Sequence, residues 1–116
     1  MSSPRRITHL VGHTPWEGTA ERTGDVYNPA TGEVTGRVDF ASKALVDEIV
    51  AQADVAAKAW GASSLAKRTQ VLFAFRQLLN DNKERIAEII TSEHGKVTSD
   101  ALGEVTRGLE VVEFAC

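Results

Sequence analysis

Asp25-Val26-Tyr27-Asn28-Pro29-Ala30-Thr31-Gly32-Glu33-Val34-Thr35-Gly36-Arg37-Val38-Asp39-Phe40 carries the clearest structural signal in the chain. Val34, Val38 and Phe40 alternate with polar residues, the period of a strand with one covered face. Asn28-Pro29-Ala30-Thr31-Gly32 ahead of them is turn chemistry, since proline fixes φ and glycine supplies the positive φ that closes such a turn. The stretch predicts a hairpin or a strand pair. Upstream, Gly12, Pro15, Gly18 and Gly24 punctuate too densely for a helix, and His9-Leu10-Val11 with Trp16 marks a further short strand or pair. Residues 7–40 therefore predict a β arm, preceded by a flexible N-terminus over residues 1–6.

After Phe40 the period lengthens to about 3.6. Leu45, Val46, Ile49, Val50, Ala53, Ala56, Ala57 and Trp60 share one stripe, with Ser42 as a cap, Asp47 and Glu48 near the positive end and Gly61 as the stop. A second helix begins at the Ser63-Ser64 cap. It carries Leu65, Leu72, Phe75, Leu78 and Leu79 on one side and Lys67, Arg68, Arg76 and Gln77 on the other, until Asn80-Asp81-Asn82 breaks or kinks it. A third runs from about Lys83 through Ile86, Ile89 and Ile90 to Gly95. A fourth starts near Thr98 or Ser99, where Leu102, Val105, Leu109, Val112 and Cys116 make one apolar face. Its opposite side carries Gly103, Glu104, Arg107, Val111 and Phe114, a pattern that predicts cover from two directions. The chain reaches Cys116 mid-pattern without a capping signal, which predicts a truncated, N-terminal piece of a larger protein.

At 116 residues, 42% hydrophobic and 25% charged, the composition is that of one globular piece. A net charge of −3 gives no footprint for nucleic acid or an anionic membrane, and no apolar run approaches the roughly 20 residues of a membrane span. The single cysteine excludes an internal disulfide and points to a reducing compartment, the cytoplasm.

Few residues propose chemistry. Gly103 and Gly108 have phosphate-loop spacing, but Leu109-Glu110 follows instead of Lys and Ser or Thr, so close helix packing is the better reading. Gly95-Lys96 lacks the upstream loop glycine. His9 and His13 are four apart in a β region, where that spacing does not gather ligands, and Glu93-His94 adds no cluster, so no metal is expected. Cys116 lies at the wrong end of a helix for thiolate activation and on the apolar stripe. Arg107, flanked by Val111, Phe114 and the glycines, could present a fork to a carboxylate or phosphate; spacing alone favours a salt bridge to Glu104 or Glu110.

The order of Asp25 to Val34, the helix with Ala56-Ala57-Lys58-Ala59-Trp60, and Arg68 ahead of Phe75-Arg76-Gln77-Leu78-Leu79 resembles the start of the aldehyde dehydrogenase superfamily, from about Ile7 to Cys116. Glu93-His94-Gly95-Lys96, Gly103-Glu104-Val105 and Arg107-Gly108-Leu109-Glu110-Val111-Val112-Glu113 resemble its CoA-acylating methylmalonate-semialdehyde dehydrogenases. Val97, Ser99, Leu102 and Thr106 depart from that pattern and leave the exact semialdehyde open.

The resemblance implies an α/β parent that oxidises malonate or methylmalonate semialdehyde with NAD. A cysteine thiolate adds to the aldehyde, backbone and Asn donors hold the oxyanion, hydride passes to the nicotinamide, coenzyme A captures the thioester, and decarboxylation completes the route. In that frame the β arm supports a homo-oligomer, dimer or tetramer. Residues 41–116 form the helical N-terminal part of the NAD-binding domain, with about four helices. No catalytic residue falls inside the chain, Cys116 does not match the family's nucleophile motif, and the cofactor-binding residues stay unknown. The chain alone is expected to be inactive and to bind neither NAD nor coenzyme A. Arg107 matches the arginine by which this family holds the substrate carboxylate, which implies a substrate-binding role. Two alternatives stay open: part of a non-acylating NAD(P)-dependent aldehyde dehydrogenase, or an autonomous helical protein-interaction module.

Overall fold

A computed structural model describes residues 4–116; Met1, Ser2 and Ser3, part of the expected flexible N-terminus, lie outside the described residues. Five short strands precede four helices: β1 (Arg5–Ile7), β2 (Leu10–Val11), β3 (Thr14–Pro15), β4 (Arg22–Tyr27), β5 (Val34–Phe40), α1 (Lys43–Ala62), α2 (Leu65–Asp81), α3 (Lys83–His94) and α4 (Thr98–Ala115). The chain groups into two compact units, one reaching Lys58 and the other Ala59–Cys116, so the division falls inside α1.

In the first unit β4 and β5 pair antiparallel across the predicted turn. Asn28 closes it by accepting from Gly32 N–H at 2.8 Å and by donating its own N–H to Glu33 O at 2.8 Å, and Gly32 holds φ at 74°. A β-bulge between Val26 and Tyr27 ends the regular ladder. The upstream pair is β2 with β3. One element escaped the sequence: Arg5–Ile7 forms β1, parallel to β5, in a sheet of order β1-β5-β4. Arg5 and Arg6, outside the expected bounds of the β arm, belong to this strand, which their charges hid.

A second correction concerns β5. Val34 and Val38 are half-buried, but Phe40 is 46% exposed and Asp39 only 5% exposed. Arg6 is the cause. It donates to Asp39 Oδ2 from Nε at 2.8 Å, also reaches Gly18 O, and lies over the Trp16 ring at 6.0 Å. Asp39 is therefore covered with its charge satisfied, and its carboxyl is held below the usual aspartate range chiefly by the Arg6 hydrogen bond.

Ser42 Oγ accepts from Leu45 N–H at 3.2 Å at the start of α1. Gly61 does not stop this helix, which runs on to Ala62. The actual corner is built by Arg68, whose Nη1 donates to Gly61 O at 3.1 Å and Ser63 O at 2.6 Å, satisfying carbonyls that lack helical partners. No residue of α1 is buried.

The ends of α2 and α3 fall where their local chemistry predicts. Ser64 caps α2 by accepting from Lys67 N–H at 3.3 Å, Asn82 separates α2 from α3, and Gly95 ends α3 in the left-handed conformation at φ 85°. The core of the helical unit is small: Ala87, Ala101 and Val105, with Ile86, Ile90 and Leu102 packed against them. The expected apolar side of α2 is corrected, because Leu65 is 71% and Leu78 62% exposed, whereas Leu72, Arg76 and Leu79 are half-buried. Arg76 turns toward α4, donating from Nε to Glu113 Oε1 at 2.8 Å. On α4 the Leu102, Val105, Leu109, Val112, Cys116 face is covered as expected. Its second side is open, with Val111 70% and Phe114 95% exposed, so cover from two directions is not met within this chain.

Candidate functional site

The candidate residues converge on the turn between α3 and α4 and on the open side of α4. Gly95 N–H donates to Thr91 O at 2.8 Å. Its left-handed backbone, which costs glycine no Cβ clash, turns the chain sharply back. Val97 then takes the N-cap position of α4, and its carbonyl accepts from Asp100 and Ala101 N–H at 3.1 Å. Between them Lys96, with its side chain only 22% exposed, extends Nζ to Glu104 Oε1 in a close ion pair. That hydrogen bond is the main reason the Glu104 carboxyl lies below the usual glutamate value of 4.5; the charges of Lys96, His94 and Arg107 add to it against a desolvation penalty.

Arg107 follows Glu104 by three residues and is exposed. Its Nη2 lies 3.9 Å from where a Cβ on Gly103 would stand, so the guanidinium folds back along the helix over that glycine. Helical side chains lean toward the N-terminus, and this direction takes Arg107 away from Glu110. Neither salt bridge favoured by spacing forms. Glu104 is held by Lys96, and Arg107 makes no hydrogen bond or ion pair among the described residues. The result is a fork lying over Gly103 with no ion-pair partner among the described residues, suited to a planar anion such as a carboxylate.

The remaining candidates stay apart. His9 lies against Trp16 with ring centroids 5.4 Å apart, and His13 sits in the β2–β3 turn at φ 72°. Among the described residues no group of three or more His, Cys, Asp or Glu is arranged to hold a metal. Gly103 and Gly108 are inside α4, where their N–H groups belong to the helical ladder and are not offered to a phosphate. The close packing expected at these glycines is not seen, since a Cβ at Gly108 would meet nothing within 4 Å. Cys116 is free, half-buried, and at the C-terminal end of α4. Sequence reasoning weighed Lys96 only beside Gly95 and missed its pairing with Glu104, eight residues away across a turn.

The family model described as "Aldehyde dehydrogenase family" matches residues 16–116. A malonate-semialdehyde dehydrogenase of Bacillus cereus is 41% identical over 115 residues, covering 99% of this chain and 24% of the relative. The human mitochondrial methylmalonate-semialdehyde/malonate-semialdehyde dehydrogenase [acylating] is 43% identical over 115 residues, covering 99% of this chain and 22% of its own length. This chain thus spans less than a quarter of these relatives. Among solved structures, one from Sinorhizobium meliloti, assigned as a methylmalonate-semialdehyde dehydrogenase and complexed with NAD, superposes with a TM-score of 0.91 at 41% identity, over 98% of this chain and 23% of that one. Short strands followed by four helices are therefore one portion of an α/β fold.

Proposed function

The chain belongs to the aldehyde dehydrogenase family, and from that premise we propose that it forms the N-terminal segment of an NAD-dependent, CoA-acylating methylmalonate/malonate-semialdehyde dehydrogenase. The names of the bacterial and human relatives support the substrate class, the NAD of the Sinorhizobium structure supports the oxidant, and the word "acylating" in the human enzyme's name supports coenzyme A. A cytoplasmic homo-oligomer, dimer or tetramer, belongs to the same proposal. The single cysteine supports the compartment.

The phosphate-spaced glycines Gly103 and Gly108 lie inside α4, so the described residues support this reading through a different group. What they supply is Arg107. In the assembled enzyme its guanidinium would neutralise and orient the carboxylate of a semialdehyde acid, leaving the aldehyde end free to react elsewhere. The observation that carries this role is the fork itself, folded over Gly103 near enough to Glu104 to feel its charge but ion-paired to neither neighbouring glutamate.

The test is Arg107→Ala in the full-length enzyme, either the longer protein containing this chain or a relative carrying it in place of the matching segment. Hydrogen bonds to charged groups contribute about 1.5–3 kcal/mol each, so KM for semialdehyde acids should rise roughly 10- to 100-fold. Neutral aldehydes should change little. Equal losses on both substrate classes would remove the carboxylate role, and turnover that needs no coenzyme A and releases the free acid by hydrolysis of the thioester would favour a non-acylating dehydrogenase.

A further inference from the structure

Glu104 is the group best placed to occupy Arg107 in place of a substrate. It precedes the arginine by three residues, a spacing at which helical side chains meet, and the guanidinium already points back along the helix toward that turn. Glu104 is nevertheless engaged elsewhere, by an ammonium that comes from outside the helix. The left-handed Gly95 and the extended Val97 put Lys96 on the tight turn that feeds α4, from which Nζ reaches Glu104. We propose that Lys96 is a positioning residue: by holding Glu104 it prevents a Glu104–Arg107 pair and keeps the guanidinium open to a carboxylate-bearing substrate.

This inference rests on the carboxylate role given to Arg107 and adds the reason that role is available. Glu110, the other acid within one turn, is not a competitor in this arrangement because Arg107 turns away from it. His94 ends α3 on the same side of the sequence turn and adds to the positive surroundings of Glu104, so it reinforces Lys96 and does not replace it. Lys96 acts through Glu104 and has no part of its own in the reaction.

The experiment is a set of variants in the full-length enzyme: Lys96→Met, Glu104→Gln, the double variant, Lys96→Arg and Arg107→Ala. Exposed ion pairs are weak, so Lys96→Met should raise KM for semialdehyde acids about two- to fivefold, with kcat and neutral-aldehyde kinetics unchanged. Glu104→Gln alone should be silent, and adding it to Lys96→Met should restore the parental KM, because the competing carboxylate is gone. Lys96→Arg should behave as the parent. A double variant as poor as Lys96→Met would show that the lysine touches the substrate or merely supports the turn, and would overturn the proposal, as would an unchanged KM in Lys96→Met. If Lys96→Met does not fold, Lys96→Gln, alone and with Glu104→Gln, asks the same question. Failure of the underlying reading is distinguishable: it appears as an Arg107→Ala enzyme with unaltered preference for acids, whatever the lysine variants do.

Discussion

The two units of this chain bury opposite kinds of side chain. Up to Lys58 the buried side chain is a carboxylate, Asp39, held by Arg6, which itself lies over Trp16, and hydrogen-bonded by Thr8. In Ala59–Cys116 the buried residues are Ala87, Ala101 and Val105, and the larger apolar groups Phe73, Phe75, Leu78 and Phe114 stay exposed. A strand pairing as short as β1 with β5 has three residue pairs, too few to fix register by ladder bonds alone, and a charge-assisted hydrogen bond supplies the missing directionality. Helices α3 and α4 need no such device, because alanines let their backbones approach closely. Geometry is specified by charge in one unit and by the absence of bulk in the other.

That contrast breaks in the β unit first. Asp39→Ala in the full-length enzyme should give the largest loss of stability, because Arg6 would keep its charge without the partner that orients it. Amide hydrogen exchange should accelerate in β1 and β5 while α3 and α4 keep their protection; a uniform acceleration would mean that the salt bridge does not act locally. The pH dependence has a fixed sign. Asp39 is lowered from an ordinary value of 3.8, so its contribution is complete above that value and is lost as pH falls through the lowered one. Acid should release β1 ahead of the helices.

The helical side of the contrast is tested by adding volume. Ala101 is fully buried, and Ala101→Leu should cost about 1–3 kcal/mol by forcing α3 and α4 apart. Thermal unfolding and exchange in those two helices would register it, with β4 and β5 unaffected. An unchanged midpoint would mean that the space beside α4 is loose, and the small-residue account would fall.

Much of this was legible in the sequence. The hairpin around Asn28-Pro29, the Ser64 cap, the break at Asn82 and the left-handed Gly95 all follow from local chemistry, and the structure has each of them. What periodicity did not decide is which face of a helix is covered. Leu65, Phe75 and Leu78 make a regular stripe, yet α2 turns Leu72, Arg76 and Leu79 inward because Arg76 has Glu113 to meet. The same limit applies at the site. Arg107 was visible as an unusual cation on a partly apolar side, but its freedom depends on Lys96 claiming Glu104 across a turn, a pairing of distance eight that neither period two nor period 3.6 encodes. Charges at Arg6 and Asp39 likewise concealed a strand and a buried position, since both residue types are normally solvated.

The smallest effects lie at the helix ends, and they separate the stability of α4 from the setting of its site. Helix α2 starts with a side-chain cap at Ser64, so Ser64→Ala should cost about 1 kcal/mol. Helix α4 starts at Val97, which has extended dihedrals but no side chain able to cap. Val97→Ser should therefore stabilise the enzyme by about 0.5–1 kcal/mol, read as a higher unfolding midpoint. Neither change alters the side chains of Lys96, Glu104 or Arg107, and a serine keeps the extended N-cap backbone that Val97 already has, so KM for semialdehyde acids should stay at the parental value in both. A Val97→Ser enzyme that is more stable but binds acids worse would mean that the start of α4, not the Lys96–Glu104 pair, sets where the guanidinium lies. Increased stability with unaltered KM would instead place that control in the ion pair, whose carboxylate lies about two turns along the helix from Val97.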